Sequence, residues 1–319
     1  MHASRSLTAN GIEMFIREAG QGPLVLLCHG WPELSYSWRH QIEPIAASGF
    51  HVVAPDMRGF GQTSAPAEVA AYSIFDMVGD MVALVSALGE KRAVIVGHDW
   101  GAPVAWHAAL FRPDIFTAVA GLSVPPPFRG RGRPLETLHK DGIDNFYWQY
   151  FQTPRVAEAE FERDVAFTMR AVVARGFSDP EASLFVQPGK GFLGDPASDR
   201  ALPDWITEDE LSVFTEAYRK SGFRGGLNWY RNIDRNWDLT APWQGAKIHQ
   251  PSLFIAGAND SVIKGLIGAK RVLDMERVLP NLTRKLIVEG AGHWIQQERP
   301  AEVNAALLEF LKTVSAART

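Results

Sequence analysis

Gly97-His98-Asp99-Trp100-Gly101 decides how this chain folds. The pentapeptide ends the apolar run Arg92-Ala93-Val94-Ile95-Val96 and leads into Ala102 to Leu110, which reads as a helix with Pro103 tolerated in its first turn. In an elbow between strand and helix, the two glycines let the backbone bend sharply and lift the central side chain to the top of a parallel sheet. Here that side chain is a carboxylate, Asp99. It is not the alcohol nucleophile of an esterase, but it can attack an electrophilic sp3 carbon and form an alkyl ester. A surface aspartate in a glycine turn would fit the same five residues, so the flanking sequence carries the decision.

Upstream, Pro23-Leu24-Val25-Leu26-Leu27-Cys28 is continuously apolar, as a strand covered on both faces must be, and it runs into His29-Gly30-Trp31-Pro32-Glu33. Ligand sites of open α/β sheets lie in such loops. Gly11 to Gly20 alternates through Ile12, Met14 and Ile16, and His51 to Asp56 is a further buried strand. Ser37 to Ala47 and Ile74 to Leu88 read as helices, the second stopped by Gly89. The stretch Met57 to Ser64 lacks the Lys-Ser/Thr of a phosphate loop and the spacing of a dinucleotide fingerprint, and reads as a structured turn. Thr117 to Val124 adds another strand, and this alternation predicts a mostly parallel, doubly wound sheet.

The pattern breaks at Pro125 to Pro134, a Pro/Gly/Arg linker. From there to about Trp243 the signals are helical and aromatic, with helices over Val156 to Arg175 and over Thr207 to Lys220, the latter with a capping box of Thr207 and Glu210. Strand grammar returns at Pro251 to Gly257 and Arg284 to Glu289, with helices over Lys264 to Val278 and Pro300 to Val314. The expected layout is a core of residues 1–125 and 246–319 carrying a helical cap, residues 126–245, over the carboxyl edge of the sheet.

The two loops after the last strands supply partners for Asp99. Asp260 follows Gly257-Ala258-Asn259, and His293 sits in Gly290-Ala291-Gly292-His293-Trp294, giving the chain order nucleophile, acid, histidine of the α/β-hydrolase fold. An aspartate is ionised near neutral pH and needs no base to attack, which frees His293 to deprotonate water in a second step while Asp260 orients the imidazole. His29, His98 and His107 read as packing or hydrogen-bonding residues. Hydrolysis of the ester needs preorganised donors for a tetrahedral anion, and these are expected from the backbone N–H groups of Trp100 and Trp31.

Composition bounds the partners. The chain of 319 residues has a formal charge of −4 and 46% hydrophobic content, with no basic footprint for nucleic acid and no apolar stretch long enough to span a membrane. Cys28 is its only cysteine, which excludes an intramolecular disulfide and a cysteine metal cluster. A cytoplasmic monomer or homodimer with neither cofactor nor metal, acting on a small, largely apolar substrate and water, is the expectation.

These motifs resemble the epoxide hydrolases of the α/β-hydrolase superfamily, on His29-Gly30-Trp31-Pro32-Glu33, Gly97 to Gly101 and Gly292-His293-Trp294 in the core, and on Tyr147 to Gln152 and Asn228-Trp229-Tyr230-Arg231-Asn232 in the insertion. The resemblance implies that Tyr147 and Tyr230 hold and protonate the epoxide oxygen. Ring opening releases an alkoxide that needs a proton, and a phenol is a suitable donor. Tyr150 competes with Tyr147 for that role, and the aromatic run could also simply pack the cap. The core motifs are shared with haloalkane dehalogenases, in which the indoles of Trp31 and Trp100 would hold a halide, and a ligand-binding protein that has lost turnover is a third reading.

Overall fold

The computed structural model describes residues 3–127, 129–175, 184–187, 189–194, 201–265 and 268–316. Phe128 of the expected linker, parts of the segment 126–245, Leu266 and Ile267 near the start of the helix expected over Lys264 to Val278, and both chain ends lie outside them.

Eight strands form one sheet: β1 (Ala3–Ala9), β2 (Ile12–Ala19), β3 (Leu24–Cys28), β4 (His51–Pro55), β5 (Ala93–His98), β6 (Phe116–Leu122), β7 (Ser252–Gly257) and β8 (Leu282–Val288). Their spatial order is β1-β2-β4-β3-β5-β6-β7-β8, with β1 and β2 antiparallel to their neighbours and every other pairing parallel. The predicted fold class is borne out. β1 is a strand that the sequence reading leaves unassigned: its side chains are nearly all exposed, so hydrophobic period gives no sign of it, and its pairing with β2 makes it.

The continuous apolar runs are explained by two covered faces. Along β3, Leu24, Leu26 and Cys28 enter one core cluster while Val25 and Leu27 enter the other. Helices α1 (Arg39–Ala47) and Pro300–Ala316 close the second cluster, and α2 (Ile74–Ala87) and α3 (Gly101–Phe111) close the first. α2 starts on a capping box in which the Asp76 backbone N–H donates to Ser73 and the Ser73 N–H donates to the Asp76 carboxylate.

Between β6 and β7 the described residues are helical or loop apart from two isolated bridges, Phe146 with Phe185 and Gln187 with Gly191. The helix expected over Val156 to Arg175 is two, Val156–Phe161 and Val165–Arg175, because Asp164 accepts the Phe167 N–H at 3.0 Å and starts a second helix. The helix expected over Lys264 to Val278 is likewise broken, into Ser261–Lys264, Gly268–Leu273 and a single turn at Met275–Arg277. The Thr207/Glu210 capping box starts Glu208–Ser221 as expected.

The segment after this helix is fastened to the loop between β4 and α2 largely through main chain. Arg224 donates to the carbonyls of Ala65, Pro66 and Ala67 at 2.9–3.1 Å, Asn232 to that of Val69 at 2.7 Å, and Arg235 to that of Ala70 at 2.6 Å. Arg39 of α1 adds an ion pair to Glu210 at 2.8 Å. No helix among the described residues is long and apolar enough to cross a membrane.

The elbow tests the packing most sharply. A Cβ on Gly101 would lie 2.1 Å from the Cys28 carbonyl oxygen and 2.8 Å from that of His29, and these are backbone atoms, not a side chain that could yield. Gly101→Ala is expected to lose on the order of 3 kcal/mol of stability through overpacking, whereas Gly130→Ala, in open space, should be near neutral; denaturant melts of the two variants check this.

Candidate active site

The strand-to-helix bend between β5 and α3 sets Asp99 at φ +48°, a left-handed conformation that non-glycine residues rarely adopt. Gly97 allows it, since a Cβ there would meet the Gly101 carbonyl oxygen at 2.0 Å. Gly30 makes room for the side chain itself: its own Cβ would fall 2.3 Å from Asp99 Oδ1. With both carbonyl and carboxylate so crowded, the Trp31 N–H donates to Asp99 Oδ1 at 2.7 Å.

The other carboxylate oxygen faces the histidine. Asp99 Oδ2 lies 3.5 Å from His293 Nε2, and His293 Nδ1 lies 3.0 Å from Asp260 Oδ2, with both His293 and Asp260 fully buried. Asp260 is fixed in turn by the Val262 N–H, which donates to its Oδ1 at 2.8 Å. The structure thus joins Asp99, His293 and Asp260 in one line of contacts. The Trp100 backbone N–H makes no hydrogen bond to Asp99 among the described residues; it stands at the start of α3, whose N-terminal amides lack helical partners.

Tyr147 and Tyr230 are both buried and their rings are 5.7 Å apart. Tyr230 also packs edge-on against Trp100 at 5.1 Å and Trp31 at 5.8 Å, so the two tyrosines stand beside the residues that flank Asp99. Tyr150, the competing residue, is turned elsewhere: its hydroxyl donates to Glu160 at 2.7 Å.

The charge on Asp99 is felt by each of these groups. Burial penalises the charged imidazole of His293, but Asp260 first and Asp99 second outweigh it and hold its pKa well above the ordinary value. Burial raises the pKa of Tyr147, and the Asp99 charge adds to it; for Tyr230 burial comes first, then Tyr147 and Asp99. The carboxylates beside His293 thus favour its protonated form, and burial with the Asp99 charge favours the neutral form of both phenols.

His29 and His98 are hydrogen-bonding residues, as read from the sequence, but the sequence reading assigned no role to Glu33, Ser123 and Glu298, which help to hold this site in place. Glu33 is buried, accepts the Gly30 N–H at 2.8 Å and pairs with His98 Nδ1 at 2.7 Å, while His98 Nε2 and the Ser123 hydroxyl each donate to the His293 carbonyl at 2.8 Å. Burial opposes the charge on Glu33, but His98, His29 and the Gly30 N–H bring its pKa down to about 2. Glu298 accepts the N–H groups of Gly292 and Trp294, at 2.6 and 2.8 Å, and pins the other side of the His293 loop. Burial lowers the pKa of His29, and its Nε2 accepts the Met57 N–H at 2.9 Å. The signal for Glu33 and His98 was their place inside the two loop motifs, but nothing in a single chain tells that they meet.

Residues 23–300 match the family model described as alpha/beta hydrolase fold. Epoxide hydrolase A of Mycobacterium tuberculosis is 45% identical over 96% of both chains, and the epoxide hydrolase of Caballeronia sordidicola is 41% identical over 97% of this chain and 94% of its own. The crystal structure of epoxide hydrolase A from Mycobacterium thermoresistibile superposes with a TM-score of 0.92 at 46% identity, covering 98% of each chain. The chain belongs to the epoxide hydrolases of the alpha/beta hydrolase fold family.

Removing the Asp99 charge takes away one of the two supports of the imidazolium. In Asp99→Asn the His293 pKa is expected to fall, read by NMR titration of the ring. By linkage, the stabilisation from His293 is full below its unfolded value near 6.5 and is lost as pH rises through the higher folded value. Denaturant melts of wild type and His293→Asn should differ most at the acid end of that window and converge above it.

Proposed function

We propose that this chain hydrolyses small, largely apolar epoxides to vicinal diols through a covalent ester on Asp99. One observation carries the reading: a carboxylate with a backbone N–H at 2.7 Å from one oxygen and an imidazole at 3.5 Å from the other, beneath two buried phenols. Residues 1–125 and 246–319 act as the core and 126–245 as the cap that keeps water from the first step.

In that step Asp99 Oδ2 attacks an epoxide carbon, the C–O bond breaks, and the leaving oxygen takes a proton from Tyr147 or Tyr230. Both phenols stay protonated across the working pH because burial and the nearby carboxylate oppose tyrosinate. Ester formation neutralises Asp99, which lessens the penalty on a transient tyrosinate and withdraws one support of the His293 imidazolium. The imidazolium proton passes back to the phenolate, leaving a neutral imidazole.

His293 then takes a proton from water, with Asp260 stabilising the cation that forms, and the hydroxide attacks the ester carbonyl carbon. Negative charge collects on Oδ1, where the Trp31 N–H already points and the Trp100 N–H is the second donor. Collapse expels the diol and restores the Asp99 carboxylate with the imidazolium beside it. Epoxide and water are consumed, and every proton is returned.

The Tyr230 ring packs edge-on against the Trp100 indole at 5.1 Å, and a phenol set against that indole supports phenol-assisted epoxide opening over a halide cradle made by it.

A single turnover in heavy-oxygen water tests the covalent route: the label should enter Asp99 before it enters the diol, and a first-turnover diol carrying the label would overturn it. Tyr147→Phe and Tyr230→Phe should each lower the alkylation rate constant by roughly 10- to 1000-fold, less than the about 10²–10⁴ that loss of a sole general acid costs because the other phenol remains, with the double variant slower than either. Stopped-flow tryptophan fluorescence of ester formation measures both.

A further inference from the structure

A second cleft, of about 1030 Å³, opens away from Asp99, between the C-terminal half of α3, the stretch 127–134, the segment 233–247 and the helix Gly268–Leu273 with the turn that follows it. Six cationic side chains line it, Arg129, Arg131, Lys247, Lys270, Arg271 and Arg277, against the single carboxylate of Asp274. For a chain whose formal charge is −4, this is a marked local excess of positive charge.

Among the described residues, most of these cations have nothing negative to neutralise them. Arg277 reaches Asp274 only at 3.7 Å, and Arg129 spends its guanidinium on the Trp237 carbonyl, Gln244 and the Trp237 ring, 3.8 Å from its centroid. Arg271 is half-buried and has no carboxylate in salt-bridge range among the described residues; burial alone brings its pKa down to about 10. A partly desolvated guanidinium with no counter-charge is costly, and a bound anion would relieve that cost. The neighbouring His107 offers no second charge, since burial first and Arg271 after it lower its pKa to about 4, and its Nδ1 donates to the Pro103 carbonyl at 2.7 Å.

Much of the rest of the wall is apolar, beside the polar Asn236, Thr240 and Gln244. Leu110, Ile233, Trp243 and Val278 contribute side chains, and Trp243 is held by ring contacts with Phe111 and Phe75 at 4.4 and 5.6 Å. Apolar walls with a few convergent polar groups are the usual make-up of a small-molecule site.

The geometry points to a second ligand site that takes an amphipathic organic anion, its carboxylate or phosphate head paired with Arg271 and its apolar body lying along Trp243 and Leu110. Isothermal titration calorimetry with decanoate, decyl phosphate, decanol and inorganic phosphate tests it. Decanoate and decyl phosphate should bind saturably, at least tenfold tighter than decanol or inorganic phosphate, which separates a headed chain from a free anion and from mere apolarity. Arg271→Gln should weaken both amphiphiles at least tenfold while epoxide turnover stays at the wild-type rate, and Arg271→Lys should restore part of the affinity. Should Arg271→Gln not fold, the exposed pair Lys270→Gln/Arg277→Gln is expected to weaken decyl phosphate more than decanoate. Equal binding of decanol and decanoate, wild-type affinity in these variants, or decanoate acting as a purely competitive inhibitor of epoxide hydrolysis would each overturn the assignment.

Discussion

Everything in this molecule rests on how closely three backbones approach at the top of the sheet. The loop after β3, the end of β5 and the first turn of α3 meet with no side chain between them, because Gly30, Gly97 and Gly101 leave none. That contact brings a main-chain N–H within 2.7 Å of a carboxylate that its own backbone holds in a strained conformation. Side chains larger than hydrogen at any of the three positions would separate donor from acceptor. The sheet order, the two-sided core and the covering helices are what hold this approach in place.

The groups gathered on it are coupled through charge. Burial lowers the pKa of the His293 imidazole, but Asp260 and then Asp99 raise it, and the Asp99 charge adds to burial in raising that of the two phenols. On the proposed covalent route, ester formation removes the Asp99 charge and relaxes all three together, so that the imidazole turns from acid to base only after the first bond has formed.

How much was legible follows from which forces leave a local trace. The parallel strands announce themselves because both faces are buried, and the elbow because only glycines permit its bend; Asp260 and His293 stand out through their place after strands and their order in the chain. β1 is unassigned because its residues are polar and its pairing is not local. The breaks at Glu162–Asp164 and in the region after Lys264 escaped because a capping aspartate or a glycine can interrupt an apolar period without altering it. What favours Tyr147 over Tyr150 is Glu160, ten residues beyond Tyr150, which takes the Tyr150 hydroxyl and leaves no local sign in the sequence. The Glu33–His98 pair joins residues 65 apart in the sequence and carries no periodic signal.

The grip of Arg224, Asn232 and Arg235 on the segment 65–70 has an evolutionary side. These three read carbonyl oxygens, which every amino acid supplies alike, so the gripped segment is free to drift in identity so long as its path is kept. Variation should accumulate on the side that is held, while the three holding residues stay fixed, and the rim of the cavity can diversify without the roof coming loose.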